Sequence, residues 1–186
     1  GLVTSSHDLQ GEVLEEHPVP RLSDEELKHA FSAFTGEILQ KPPMVSAVKI
    51  DGERLYKRAR RGEVVDRPPR RVTVYEFEPL SFDGRDARFL LRCSSGTYAR
   101  VLCHDIGRRL ECGGALAALR RTAVGDRSVS EAATLDALDS PESIRERLLP
   151  PEEALLLPRV VMRDGGRDLV SHGHCFGRES IGDECP

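Results

Sequence analysis

Leu27, Ala30, Phe31 and Phe34 recur at i, i+3, i+4 and i+7, the spacing of one apolar helical face. Ser23 stands just before them with Glu26 three residues on, a capping box that predicts a helix starting at Asp24. Gly36 suits its C-terminal end. Pro42-Pro43 forbids regular structure, after which Val45 to Ile50 reads as a short strand and Asp51-Gly52 as a turn. Arg54 to Arg61 can form a helix closed by Gly62. The β-branched and aromatic runs RVTVYEFEPLSF and ARFLLRC, either side of Asp83-Gly84, predict a hairpin. Tyr98, Leu102, Ile106 and Leu110 then lie four apart along one stripe of a predicted helix, and Arg100, His104 and Arg108 along a polar one. Gly113-Gly114 ends that helix, and ALAALRR reads as a short one. Ser140-Pro141 predicts a further helix start, and RVVM from Arg159 a strand start.

This mixture, without repeats or low-complexity segments, predicts an α+β fold: a mixed, mostly antiparallel sheet with flanking helices. Its 186 residues suit one ordinary domain, or one plus a fragment. No apolar run of 18 or more residues occurs, so no membrane span is expected, and residues 1–13 lack the basic and apolar regions of a signal peptide. The five cysteines form no CxxC pair, which fits reduced thiols in a cytoplasmic protein. His172, His174 and Cys175 have metal-binding chemistry but lack a well-placed fourth ligand, so no metal is expected.

Charge changes the picture. The net −4 conceals about −5 in residues 1–30, −6 in 128–186 and +7 between them. Residues 54–71 alone hold 8 basic and 2 acidic side chains. A solvated basic loop and a phosphate-binding face both account for such a strip. Tyr56 among Lys57, Arg58, Arg60 and Arg61 suits base stacking with phosphate anchoring, and equally an amphipathic helix. At the strand-to-helix joint SSGTYAR, Gly96 permits a tight turn and Thr97 can cap the helix. Arg100 offers a planar fork of donors for a carboxylate or phosphate. Tyr98 as core and Arg100 in a surface ion pair is the alternative reading.

Three segments in order resemble the TruB family of tRNA pseudouridine synthases: QKPPMVSAVKIDGERLYKRARRG (40–62), CSSGTYARVLCHDIG (93–107) and LAALRRTAVG (116–125). TSSHDLQG (4–11) is similar to the family's TDTxDxxG pattern, with Ser5 at a usual aspartate. The resemblance implies isomerisation of the T-loop uridine at position 55 of tRNA, by base flipping and an essential aspartate, with no metal or organic cofactor. It makes Arg100 the partner of that aspartate and Tyr56 a ring stacked on the flipped base. Tyr98 and Leu119 would line the base pocket, with Lys49 nearby. Lys57, Arg58, Arg60 and Arg61 would hold the RNA backbone. Residues 1–157 would be part of the catalytic domain and 158–186 the start of a PUA-like RNA-binding domain. The expected partner is the T-arm of tRNA, with the chain a monomer.

The family's aspartate belongs to a Gly-His-x-Gly-x-Leu-Asp-Pro motif that these 186 residues do not contain. Asp8, Asp51, Asp83 and Asp105 lack its context, so Arg100 is expected to lack a carboxylate partner and the chain alone to be inactive. A non-catalytic tRNA-binding protein is the alternative.

Overall fold

The computed structural model describes residues 1–154, 160–175, 177 and 181. Two units divide after Arg120, and the first holds the candidate site residues named above. It opens with β1 (Leu2–Thr4) and β2 (Val13–Glu16), paired antiparallel. Next come α1 (Asp24–Ser32), β3 (Gly36–Gln40), the two-residue strands β4 (Lys49–Ile50) and β5 (Glu53–Arg54), and α2 (Leu55–Arg60). The long hairpin β6 (Arg70–Phe82) and β7 (Ala87–Cys93) leads into α3 (Ala99–Arg109). The main sheet is antiparallel in the order β3-β6-β7, and the α+β class is as the sequence predicts.

The capping box at Ser23 is present: Glu26 N donates to Ser23 Oγ at 3.3 Å and Ser23 N to Glu26 Oε2 at 2.8 Å. α1 buries Leu27, Ala30 and Phe31. With Val74 and Phe77 of β6 and Leu102 and Ile106 of α3, Leu27 and Phe31 form the core. Phe31, Phe77 and Phe89 pack as tilted and edge-on rings 4.6–5.9 Å apart, geometry worth about 0.5–1.5 kcal/mol per pair beyond burial. Along β6 the inward positions run Val72, Val74, then Phe77, which breaks a period of two. The register shift between Val74 and Glu76 explains it, because a bulge turns the following residues to the other face.

Several expectations are corrected. The predicted strand from Val45 is only Lys49–Ile50, since its partner β5 has two residues before the chain turns into α2 at Leu55. The Asp51-Gly52 turn is present, both residues having positive φ (52° and 81°). Thr97 does not cap α3. Tyr98 is the N-cap without a side-chain bond, while Thr97 Oγ1 donates to Ser94 O at 2.9 Å. ALAALRR is not helical: at Leu116 it bridges the 4–11 turn, Leu116 N donating to His7 O (2.9 Å) and Leu9 N to Leu116 O (3.1 Å). Seven residues make a marginal helix alone, and the bridge pairs the Leu116 amide and carbonyl instead.

The second unit carries β8 (Ala123–Val124), β9 (Arg127–Ser128), α4 (Pro141–Arg147), α5 (Pro151–Ala154) and α6 (Gly166–Ser171). Ser140 caps α4 with Pro141 in its first turn, as predicted. Of the expected strand at RVVM, Arg159 lies outside the described residues and Met162 makes a single bridge to Ile181.

α3 ends against its own return. A Cβ at Gly107 would overlap the backbone of Gly113 and Gly114, and one at Gly114 would overlap the Cys103 carbonyl oxygen. Gly113 N also donates to Gly107 O at 3.0 Å. Backbone cannot yield as a flexible side chain can, so Gly107→Ala is expected to destabilise the chain by at least the 1–3 kcal/mol typical of overpacking. A urea midpoint equal to that of the unaltered chain would refute this.

Candidate RNA-modifying site

Four segments meet around the start of α3. The first is the turn after β1. Thr4 Oγ1 donates to Asp8 O (2.7 Å), Ser6 Oγ to Asp8 Oδ1 (2.5 Å), and Gln10 N to the same Oδ1 (3.2 Å). This aims the remaining carboxylate oxygen, Oδ2, away from the turn.

The second is α3. Arg100, in its first turn, donates through Nη1 to Asp8 Oδ2 at 2.9 Å, both side chains only about one-fifth exposed. Arg100 therefore has a carboxylate partner, contrary to expectation. Sequence spacing hid it because the pair spans 92 residues. The available signal was Asp8 itself, the second aspartate of the TDTxDxxG-like pattern. Burial pulls the Asp8 carboxyl upward, but Ser6, Arg100 and the Gln10 amide outweigh it and hold it below the usual 3.8.

The third is the Pro-Pro loop: Arg100 Nη2 donates to Val45 O. A guanidinium has five N–H donors, so three have no partner among the described residues. The Arg100 guanidinium carbon also lies 5.9 Å from the centre of the Tyr98 ring.

The fourth is β3, through a residue to which the sequence assigns no role. Gln40 is 3% exposed. Its Oε1 accepts from Tyr98 N (2.8 Å) and its Nε2 donates to Tyr98 O (3.2 Å). The side-chain amide thus pairs with Tyr98 as a strand neighbour would, fixing the residue two before Arg100.

Beside Val45 lies a pocket of about 430 Å³ lined by Val45, Ser46, Ala47, Tyr56, Ala59 and Arg60. Tyr56 N donates to Ser46 O at 3.0 Å, which ties α2 to that loop. Arg60 stands over the Tyr56 ring, 5.5 Å from its centre. Tyr56 also borders a second pocket of about 350 Å³, with Lys49, Gly52, Glu53, Arg54 and Lys57. Tyr56 and Lys49 are thus together, and Tyr98 and Arg100 are together, with the Val45 loop touching both groups. Leu119 is 61% exposed and shares no polar bond or ring contact with either.

The four basic residues of α2 and its end divide. Glu53 accepts from Arg61 Nη1 and Nη2 (2.7 and 2.8 Å) and from Arg58 Nε (3.3 Å). Arg61 first, then Arg58, hold its carboxyl down to about 2 against burial. Arg58 also meets Asp51, and Arg61 meets Glu63. Lys57 and Arg60 have no ion pair among the described residues. Among the described residues no trio of His, Cys, Asp or Glu side chains could hold a metal, and no helix is long and apolar enough to cross a membrane. Cys185 lies outside the described residues.

An arginine anchored on a carboxylate thus stands beside a tyrosine-lined pocket, with Lys57 and Arg60 unpaired on the neighbouring helix. Residues 1–99 match the TruB family pseudouridylate synthase N-terminal domain, and residues 100–156 the tRNA pseudouridylate synthase B C-terminal domain. The chain belongs to the TruB family of pseudouridine synthases. It is similar to tRNA pseudouridine synthase B of Azoarcus sp., with 46% identity over 93% of this chain and 58% of that one. The corresponding figures for the Opitutus terrae protein of that name are 47%, 83% and 65%, and for the Thermotoga maritima protein 40%, 93% and 56%. The chain thus spans little more than half to two-thirds of these relatives. A chain in the crystal structure of a Cbf5-Nop10-Gar1 complex matches with TM-score 0.68 and 30% identity, over 89% of this chain and 49% of that one. In the archaeal box H/ACA sRNP Nop10-Cbf5 complex the values are 0.64, 27%, 89% and 48%.

Two outcomes test the geometry. Replacing Arg100 with Met removes the strongest charged partner of Asp8 but leaves its burial, so the Asp8 pKa is expected to rise, read from its carboxyl carbon shift by NMR. An unmoved pKa would show that the pair does not form. Gln40→Met is expected to cost about 1–3 kcal/mol, because it strands the part-buried amide and carbonyl of Tyr98, and an unchanged urea midpoint would contradict that.

Proposed function

We propose that the protein containing these residues isomerises a uridine in the T-loop of tRNA, at position 55, to pseudouridine, with the base flipped out of its stack. The observation that carries this reading is the Asp8–Arg100 pair, held beside the Tyr56 pocket in a chain of the TruB family. A flipped uracil needs a ring to stack on, worth about 1–3 kcal/mol per base, and Tyr56 and Tyr98 are the candidate surfaces. Leu119 and Lys49 complete the proposed base surroundings.

Asp8 is not the reacting carboxylate in this reading. Hydrogen bonds from Ser6 and Gln10 occupy Oδ1, and Arg100 occupies Oδ2. It acts instead as the anchor that keeps Arg100 from swinging away. The unused N–H groups of Arg100 can then hold a second carboxylate ionised against the base, since a neighbouring guanidinium lowers a carboxyl pKa. No Gly-x-Leu-Asp segment occurs in the 186 residues, so the chain alone is expected to bind tRNA without turning it over.

Lys57 and Arg60 are free to meet phosphates, whereas Arg58 and Arg61 are engaged with carboxylates. All four can face RNA, but their contributions should differ.

Whole protein carrying Arg100→Met is expected to form pseudouridine at least about a hundredfold more slowly, the scale for losing an electrostatic partner of the reacting groups. Chemical mapping of the product on unmodified tRNA should place it in the T-loop, and a product elsewhere would refute the proposed position. Binding without chemistry is the second reading, and it predicts no product from the whole protein. Affinity of this chain for tRNA should fall with salt. Lys57→Ala with Arg60→Ala should reduce the logarithmic salt slope by about one per lost phosphate contact, more than Arg58→Ala with Arg61→Ala. Equal slopes for both pairs would refute this division.

A further inference from the structure

The side chain next to Asp8 is His7, and the one a helical turn beyond Arg100 is His104. Their rings lie face to face, 4.0 Å between centres and 3° from parallel. Two consecutive residues of the β1 turn therefore grip two consecutive turns of α3, one by charge and the other by a stack. His7 holds positive φ (66°), a conformation rare outside glycine. Its carbonyl accepts from Leu116 N at 2.9 Å, so the turn is held from both sides.

The Nδ1 atoms of His7 and His104 are both buried without a hydrogen-bond partner. A neutral imidazole can leave one nitrogen as an unpaired acceptor. An imidazolium carries N–H on both nitrogens, and here one would point at nothing that accepts it. Two imidazoliums face to face would also repel. The surrounding charges disfavour protonation of His7: Arg100 and His104 face it from α3 and Arg67 from the segment before β6, against Asp8 alone. His104 has Asp105 and Arg108 on its own helix and the His7 ring opposite.

We infer that His7 and His104 are a positioning pair: stacked as neutral rings, they seat Asp8 on Arg100, and protonating either ring releases that seat. This rests on the reading that Arg100 serves the RNA-modifying site. Burial first, then His104, Arg100 and Arg67, push His7 from 6.5 to about 4, and burial lowers His104 as well. The folded state therefore takes up the His7 proton later than the unfolded chain does. The seat is intact above pH about 6.5 and weakens as pH falls toward about 4.

The test follows the Arg100 guanidinium N–H signals of the ¹⁵N-labelled 186-residue chain by NMR between pH 7 and pH 4. In the unaltered chain these signals should be sharp at pH 7 and fade as pH falls. His104→Ala removes the stack and should cut their intensity at least about twofold at pH 7. His104→Phe keeps a ring in place, and a protonated His7 is attracted to a phenyl face. It should restore the signals at pH 7 and move their loss about one pH unit lower. Three results would overturn the inference: signals independent of pH in the unaltered chain, His104→Ala identical to it, or an unmoved midpoint in His104→Phe. The last would assign the loss to protonation of Asp8 itself. Should either variant fold poorly, judged from its amide spectrum, His7→Phe replaces it, and a loss of signal that keeps the unaltered midpoint in that variant would equally overturn the inference. No RNA enters these measurements, so failure of tRNA binding or turnover remains a separate result.

Discussion

The Asp8–Arg100 ion pair organises the site. It joins a turn near the start of the chain to the first turn of α3, and through the second guanidinium nitrogen it also holds the Val45 carbonyl. None of these segments is secured by a long ladder of its own. The turn hangs from a three-residue strand, and the Val45 loop follows a proline pair. Taking a carboxylate and a guanidinium partly out of water is unfavourable unless their hydrogen-bonding capacity is met. Ser6 and Gln10 satisfy the other oxygen of the carboxylate and Val45 takes one further guanidinium N–H, so the pair can sit only one-fifth exposed and still join three segments.

Its position depends on neutral packing nearby. Leu102 and Ile106 press α3 into the core with Phe31 and Phe77, and Gly107 lets the chain return against the helix. Gln40 pins the residue before the helix from the edge strand. The first two residues of the polar stripe of α3 then face the β1 turn, which brings Arg100 to Asp8 and His104 to His7, while Arg108 stays exposed.

Charge in the basic strip is similarly sorted by local geometry. Eight cations in residues 54–71 look equivalent along the chain. The β4–β5 turn carries Glu53 under α2, where it takes Arg58 and Arg61. Lys57 and Arg60, on the same helix, have no ion pair among the described residues, and Arg60 lies over Tyr56. The strip therefore combines an internally neutralised base with an unpaired outer face.

Features set by neighbours in the chain are legible in the order of residues alone: the Ser23 capping box, the Asp51-Gly52 turn, the β6–β7 hairpin, the apolar stripe of α3 and the Ser140-Pro141 helix start. Each depends on backbone preference or on side chains three or four residues apart. The family is legible for a related reason, since its motifs are contiguous. What only the tertiary structure decided are the through-space pairings: Asp8 with Arg100, Gln40 with Tyr98, and His7 with His104. It also decided that ALAALRR is not a helix, because the backbone of the 4–11 turn pairs with Leu116 where a seven-residue helix alone is marginal. These pairings join positions 58 to about 100 residues apart. Sequence spacing carries no information about them until the core has fixed where α3 lies.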